Sequence, residues 1–483
     1  MDKKSASADR GISGYALAIL YVFALTAPLA LALMQGPPRQ GAWGEASSAT
    51  GLSAGVALML QFVTSGRFEQ LSGRIGIDVT MAFHKWSART LAVAVLMHPL
   101  LYIAPDFFAD PVRGVSRILH MLTAPRYLTG VVSLMLIVIV VLLALLRDHV
   151  GAKYEAWRAS HGALALLAAG LVVHHALQAG SYSRTPPMQA LWPLLAIVAL
   201  ASALTVYGLR AWHMRRTPWQ VAGTGKLADG LWELTLRRRS GERLDYRAGQ
   251  FAWLAFGRWR FPLVDHPFSI TSAPSASDDL SFIIKESGDF TNQIGAIPPG
   301  TPVGLDAPHG SFVLDETAET ILLVAGGVGI APILSLIREL SAREDRRPVR
   351  LVYAGARPDK MIAPQYLLTE AGRLNFRAIF LAEEADDAWP YMRGRVTSAI
   401  IENALRDLDP NRGKFSAMLC GPGAMMCLVC DLLRAAGIPL ASIHYERFDY
   451  GDETRSAKDR LVLATFSSIG AIVVAAIALF AIR

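Results

Sequence analysis

Two apolar stretches of membrane-spanning length each carry histidines near both ends, and this constrains the chain more than any other feature. In FHKWSARTLAVAVLMHPLLYI the pair is His84 and His98; in HGALALLAAGLVVHHAL, His161 is followed by His174 and His175. An ionisable side chain in lipid is expensive and is functional by default. The fourteen-residue step from His84 to His98 is about 21 Å of helical rise and returns to within about 40° of the starting face. Both rings therefore look the same way, one near each side of a bilayer. A single histidine of this kind is ordinarily satisfied by a neighbouring carbonyl. Two matched pairs, if their helices pack side by side, point instead to two iron porphyrins, each clamped between two imidazoles. Zinc fits less well, because ligands about 21 Å apart on one helix cannot meet at one ion. In the second pair, ideal geometry favours His175, fourteen after His161, whereas a step of thirteen turns His174 about 140° away unless the helix bends.

The chain has 483 residues, 52% of them hydrophobic, too many for one ordinary domain and too apolar for a wholly soluble protein. Apolar runs at 15–34, 51–65, 90–104, 127–146, 159–179 and 188–207 read as six transmembrane helices, the third extended back to include His84, and 461–482 reads as a seventh. The run after MDKKSASADR is as long as a full span and lacks a small-residue cleavage site, so no cleavable leader is expected. The net charge of +7 sits at membrane borders and through the second half, which fits a positive-inside bias rather than nucleic acid. Lys3, Lys4, Arg10, Arg67, Arg74, Arg147, Lys153, Arg158, Arg210, Arg215 and Arg216 fall on one side, read as the cytoplasm; Arg113, Arg117 and Arg126 oppose the count. This orientation puts His84 and His161 near the cytoplasmic face of a bacterial-type plasma (inner) membrane, and His98 with His174 or His175 near the outer one. The three cysteines, Cys420, Cys427 and Cys430, lie in the second half and offer no disulfide framework, as in a reducing compartment. The CxxC of Cys427 and Cys430 reads as helix core.

After Arg216 the pattern changes. Residues 217–315 show short β-rich runs divided by Gly, Pro and Ser, the mark of a small antiparallel barrel. Residues 316–450 alternate strand and helix, which implies a parallel sheet binding a nucleotide at its carboxyl edge. The expected division is thus 1–216 for the membrane domain, 217–315 for the barrel, 316–450 for the α/β domain and 451–483 for a linker and last helix. In AGGVGIAP, Gly326, Gly327 and Gly329 fall between a strand and a helix, where backbone can approach a pyrophosphate at a helix N-terminus. LCGPGAMM supplies a second such turn on the same crevice. HPFSITSAP and GDFTNQIG add an aromatic and polar β-run and a helix start able to accept a phosphate. Arg357, after the second strand of the α/β domain, suits a 2′-phosphate and so favours NADPH over NADH.

HPFSITSAP, GGVGIAP, CGPG and HYERF resemble the ferredoxin-reductase-like flavoprotein module, and together with the spaced histidines the chain resembles the NADPH oxidase and ferric reductase superfamily from about Gly51 to Tyr450. The resemblance implies a multi-domain membrane protein: an all-α bundle of six helices plus a C-terminal helix, then an antiparallel β-barrel FAD domain and an α/β NAD(P)H domain. It implies that Phe268 flanks the isoalloxazine of FAD, that Ser269 approaches its reactive edge, that His266 and Pro267 contact the cofactor and that Thr291 meets its pyrophosphate. It further implies a nicotinamide nucleotide site of Gly326, Gly327, Gly329, Pro332, Cys420, Gly421 and Pro422, with Phe448 covering the flavin. The family commonly uses a step of thirteen in the second histidine pair, so the expected ligands of two haem b groups are His84, His98, His161 and His174. The expected activity is electron transfer from cytoplasmic NAD(P)H through FAD and haem to an acceptor at the outer face, either ferric iron, dioxygen or a periplasmic redox partner. The rival readings are a non-catalytic haem-flavin redox sensor and a transporter; the spans show few of the polar residues a pore needs. The seventh helix, and the absence of a calcium-binding DxDxDG loop, depart from many relatives.

Overall fold

The computed structural model describes residues 11–36, 38–65, 67–150, 153–216, 219–257, 260–406, 408, 413–447 and 455–483. Two compact units result: Met1–Ile75, Val79–Leu209 and Leu463–Arg483 form one, and Gly76–Asp78 with Arg210–Val462 the other. The division falls between Leu209 and Arg210, and the last helix belongs to both units in turn.

The first unit is helical: α1 (Gly14–Leu33), α2 (Ala42–Val63), α3 (Glu69–Ile75), α4 (Ile77–Ala109), α5 (Pro111–Thr123), α6 (Pro125–Leu145), α7 (Arg147–Val150), α8 (Tyr154–Ala179) and α9 (Pro186–Leu204), the last continuing through a π turn at Thr205–Leu209 into α10 (Arg210–Arg216). Among the described residues, seven helices, counting α9 with α10 as one and including α15 (Ala457–Ile482), are long and apolar enough to cross a membrane. The second span begins at Ala42, well before the apolar run that marks it. Its first turns carry Glu45, Ser47, Thr50 and Ser53, all buried. This is the central helix, 67% buried where the other spans are 6–22% buried, so it meets side chains rather than lipid and need not be apolar. Glu45 accepts from Tyr182 Oη at 2.6 Å and from Arg483 at 3.3 Å, which holds the end of α15 to the bundle. Further along, Phe466 meets Phe83 edge-on at 5.1 Å and Gly470 lies against Trp86. The third to fourth connection is a helix, α5, because Asp110 caps it, accepting from Val112 N, and Pro111 starts it.

The second unit opens with six strands, β1 (Trp219–Ala228), β2 (Leu231–Arg238), β3 (Phe251–Phe256), β4 (His266–Ser269), β5 (Leu280–Lys285) and β6 (Pro302–His309), in the order β4-β3-β6-β1-β2-β5. All pairings are antiparallel. The sheet curls until Ile270 bridges Phe282 across its two edges. Alternation explains the curl: Leu234, Leu236, Leu254, Ile270 and Phe282 fill the inside at 0% exposure. Asp306 on β6 holds Arg210 at 2.8 Å and His309 at 3.1 Å, fixing α10 to the antiparallel sheet.

Six parallel strands follow: β7 (Thr320–Gly326), β8 (Val349–Gly355), β9 (Phe376–Ala382), β10 (Met392–Arg393), β11 (Phe415–Cys420) and β12 (Ile443–Glu446), ordered β10-β9-β8-β7-β11-β12. They alternate with α11 (Ile330–Ala342), α12 (Pro364–Ala371), α13 (Ser398–Arg406) and α14 (Gly423–Ala435). Strands β7 and β11 are wholly apolar or small and buried along nearly all their length, as a sheet covered on both faces requires. The chain leaves β7 in one direction through β8, β9 and β10 and returns to β11 on the other side, so the order reverses between β7 and β11. Ligands bind at the carboxyl ends of strands where this happens.

Candidate functional site

At that reversal, register aligns Cys420 with Ala325 on one side and with Glu446 on the other. The turns after β7 and β11 meet backbone to backbone: a Cβ on Gly326 would stand 2.6 Å from Pro422, and one on Gly421 would stand 2.9 Å from Gly326. A Cβ on Gly329 would collide with the Cys420 carbonyl group. These three glycines thus serve the turn-to-turn contact. Gly327 is different, with φ +54 and open space where a Cβ would be, and it stands just before the N-terminus of α11, where backbone N–H groups favour a phosphate. Pro332 is buried inside α11. Arg357 lies in an exposed ion pair with Asp359, which already occupies its guanidinium.

The HPFS strand pairs with β3, Ser269 opposite Phe251 and His266 opposite Leu254. The His266 ring stacks on Phe290 at 4.5 Å and 7°, and Phe268 lies 6.2 Å from His266. This builds an aromatic wall able to hold a flat ring. Ser269 is 4% exposed and its hydroxyl has no partner among the described residues, a cost that a bound acceptor would remove. Thr291 already accepts from Ser287 N at 2.8 Å, so its hydroxyl shapes the loop that precedes it. Phe448 lies outside the described residues.

The segment following HPFS is fastened to α11. Arg338 donates to the Thr271 carbonyl at 3.2 Å, to Glu233 at 3.1 Å, to Glu370 at 3.0 Å and to Tyr366 at 2.6 Å, and Ser335 donates to the Ser272 carbonyl at 3.2 Å. Burial works against the charge of Arg338, yet Glu370 and Glu233 outweigh it and hold the guanidinium above its ordinary range. A lone arginine in an apolar helix was the only trace of this in the sequence. Glu446, the end of β12, was missed as well. It is 7% exposed, with one carboxyl oxygen unpartnered among the described residues. Burial first, and then the charge of Asp78, pushes its carboxyl up to about 8. Burial, with the Glu446 charge second, raises the Cys420 thiol well above its ordinary value, so it remains a thiol at neutral pH. Cys427 and Cys430 are unbridged and buried in α14.

In the helical unit, His98 on α4 faces His175 on α8, with ring centroids 6.5 Å apart and planes at 79°. Two imidazoles bound to one metal by Nε2 at about 2.0 Å each would place their centroids about 6.3 Å apart, so the pair fits an axially ligated iron. His174, the residue expected at the thirteen-residue step, is exposed and lies 3.2 Å from Thr129 Oγ1, on another face of α8. A straight α8 keeps the fourteen-residue partner in line. His84 and His161 lie within electrostatic reach of each other, and the Nδ1 atoms of both are buried with no partner among the described residues. Arg113 and Arg117 are paired with Asp110 and Asp106, at 3.7 and 2.6 Å, rather than presented to an anion.

Comparison with known proteins matches this arrangement in order. A family model described as ferric reductase like transmembrane component matches residues 50–172, an FAD-binding domain matches 220–297 and an oxidoreductase NAD-binding domain matches 323–431. The chain has the domain architecture of the ferric reductase and NADPH oxidase superfamily. It thus has a ferric-reductase-like transmembrane part followed by an FAD- and NAD(P)H-binding module. Among curated proteins it is similar to the reductase component of propane 2-monooxygenase from Mycolicibacterium smegmatis, 32% identical over 216 residues, 43% of this chain and 60% of the relative. It is also similar to the toluate 1,2-dioxygenase electron transfer component of Pseudomonas putida, 26% identical over 47% of this chain and 66% of that one. The chain spans about 60% of the length of the first of these relatives. Of solved structures, a ferredoxin NADP+ reductase from Neisseria gonorrhoeae aligns over 48% of this chain and 99% of its own, at 19% identity and a TM-score of 0.41.

Proposed function

We propose that this chain is a flavohaem oxidoreductase that carries electrons across a plasma membrane, from NAD(P)H on the cytoplasmic side to an acceptor at the outer face. Ferric iron or dioxygen is the acceptor in this reading. FAD held by His266, Pro267, Phe268 and Ser269 would supply the change from electron pairs to single electrons, and haem b held by the histidines of α4 and α8 would supply one-electron transfer within the lipid. The single observation that carries the reading is the opposition of His98 and His175 at 6.5 Å, with His84 and His161 about 21 Å along the same two helices. Those four histidines are the proposed iron ligands. A haem held by two of these histidines would be suited to outer-sphere electron transfer rather than to binding the acceptor.

In the soluble unit, the Ser269 hydroxyl donates to the reactive edge of the flavin, with His266, Pro267 and Phe268 lining its ring. Thr291 holds the loop near the pyrophosphate. Gly327 leaves room for the nucleotide phosphates, and the Gly326, Gly329, Cys420, Gly421 and Pro422 turns form the floor beneath the nicotinamide. Glu446 holds a proton on its carboxyl at the edge of the same crevice. The purified full chain, given NADPH or NADH without oxygen, is expected to show reduction of a b-type Soret band, followed by reoxidation on addition of ferric citrate or air. A haem-loaded chain whose band neither nucleotide reduces would reject the reading in favour of a sensor.

A further inference from the structure

We propose that Ser47, Gly51 and Gly130 are positioning residues that fix the His98 and His175 rings. The inference rests on the bis-histidine reading above and goes beyond it. Nδ1 of His98 lies 2.7 Å from the Ser47 carbonyl oxygen. A carbonyl only accepts, so Nδ1 carries the hydrogen and Nε2 keeps its lone pair for a metal. The hydroxyl of the same serine donates to the His98 carbonyl at 2.7 Å and lies 3.2 Å from Nδ1. One residue of α2 therefore holds both the backbone and the ring of the histidine.

One turn further along α2, Gly51 lies flat against the same ring: a Cβ there would stand 2.8 Å from both Nδ1 and Cε1. On α6, Gly130 does the same for His175, at 2.5 Å from Nδ1 and 2.6 Å from Cε1. Real Cβ atoms essentially never approach closer than 3.0 Å. Each imidazole thus has a bare glycine backbone against one side. Helix propensity alone would favour alanine over glycine in the middle of both helices, so ring clearance is what the glycines provide. At the other level, no described glycine has His84 or His161 among its nearest contacts, and the His84 ring is hydrogen-bonded to the Gln61 backbone; the Nδ1 atoms of His84, His161 and His175 alike have no partner among the described residues. A hydrogen bond to Nδ1 sets ring orientation and ligand basicity, so Ser47 aims the His98 ring directly, while the close Gly130 backbone places the His175 ring.

The test uses the full haem-loaded chain, with haem per chain, low-temperature electron paramagnetic resonance of the ferric centres and a potentiometric titration as readouts. His98→Ala marks which signal and which titration step belong to this level. Gly51→Ala and Gly130→Ala are each expected to shift or remove that same signal and leave the other unchanged. Ser47→Ala keeps the backbone acceptor, so it is expected to retain both haems and move only the step that His98→Ala removes. Variants of either glycine that retain both wild-type signals, or that move both equally, overturn the inference while leaving bis-histidine ligation intact. A wild-type chain without haem overturns both.

Discussion

Glu446→Gln isolates the cost of a buried carboxyl at the nucleotide crevice. With its carboxyl at about 8 against an ordinary 4.5, the folded chain keeps a proton that the unfolded chain has already released. The folded state therefore binds more protons, and the contribution is fully present below about 4.5 and is lost as pH rises through about 8. At about 1.4 kcal/mol per pH unit, the wild type should lose about 2.5 kcal/mol relative to the variant between about pH 5 and pH 7. Screening takes little from this, since the residue is 7% exposed. For a unit of this size the loss is roughly 5–10 °C in melting temperature. Glutamine is neutral throughout, so the variant lacks this slope, and slopes from other groups cancel in the difference. The assay is the melting temperature of the solubilised full chain, followed by tryptophan fluorescence, for both proteins across that window. Curves that run parallel would show that Glu446 is ionised in the folded chain and would refute the reasoning.

Three other perturbations test separate parts of the structure. His175→Ala should lower haem content from two to about one per chain, whereas His174→Ala should retain both; a pyridine haemochrome assay that reversed these results would restore the thirteen-residue partner. Asp359→Asn releases Arg357 from its ion pair and should lower KM for NADPH by about tenfold, the worth of one charge-assisted hydrogen bond, while leaving NADH little changed in steady-state kinetics. Arg338→Met leaves Glu233 and Glu370 facing each other without a cation and strands the Thr271 carbonyl. With the carboxylates 22% and 27% exposed, the cost belongs at the low end for a broken buried pair, about 3 kcal/mol, and an unchanged denaturation midpoint would argue against it.

Much of the architecture was legible because it is written in local patterns. Apolar runs marked the spans, strand and helix alternation marked the parallel sheet, and glycines after β7 and β11 marked the crevice. The signal failed where a residue's neighbours come from elsewhere in the chain. The first turns of α2 fall outside the apolar run 51–65 because Glu45, Ser47 and Thr50 are polar; they are helical and buried because other helices, rather than lipid, surround them. Arg357 is a different case: its partner Asp359 stands two residues along the chain, and only the side-chain geometry pairs the two.

The histidines show the same boundary most clearly. Spacing on one helix determined that His84 and His98 share a face and that His175, by geometry, suits His161 better than His174 does, since helical periodicity is a property of the segment alone. Which imidazole meets His98 depends on how α8 is turned against α4 and α6, and no local pattern records that rotation. Tertiary packing decided it, through Gly130 admitting the His175 ring and Thr129 drawing His174 away.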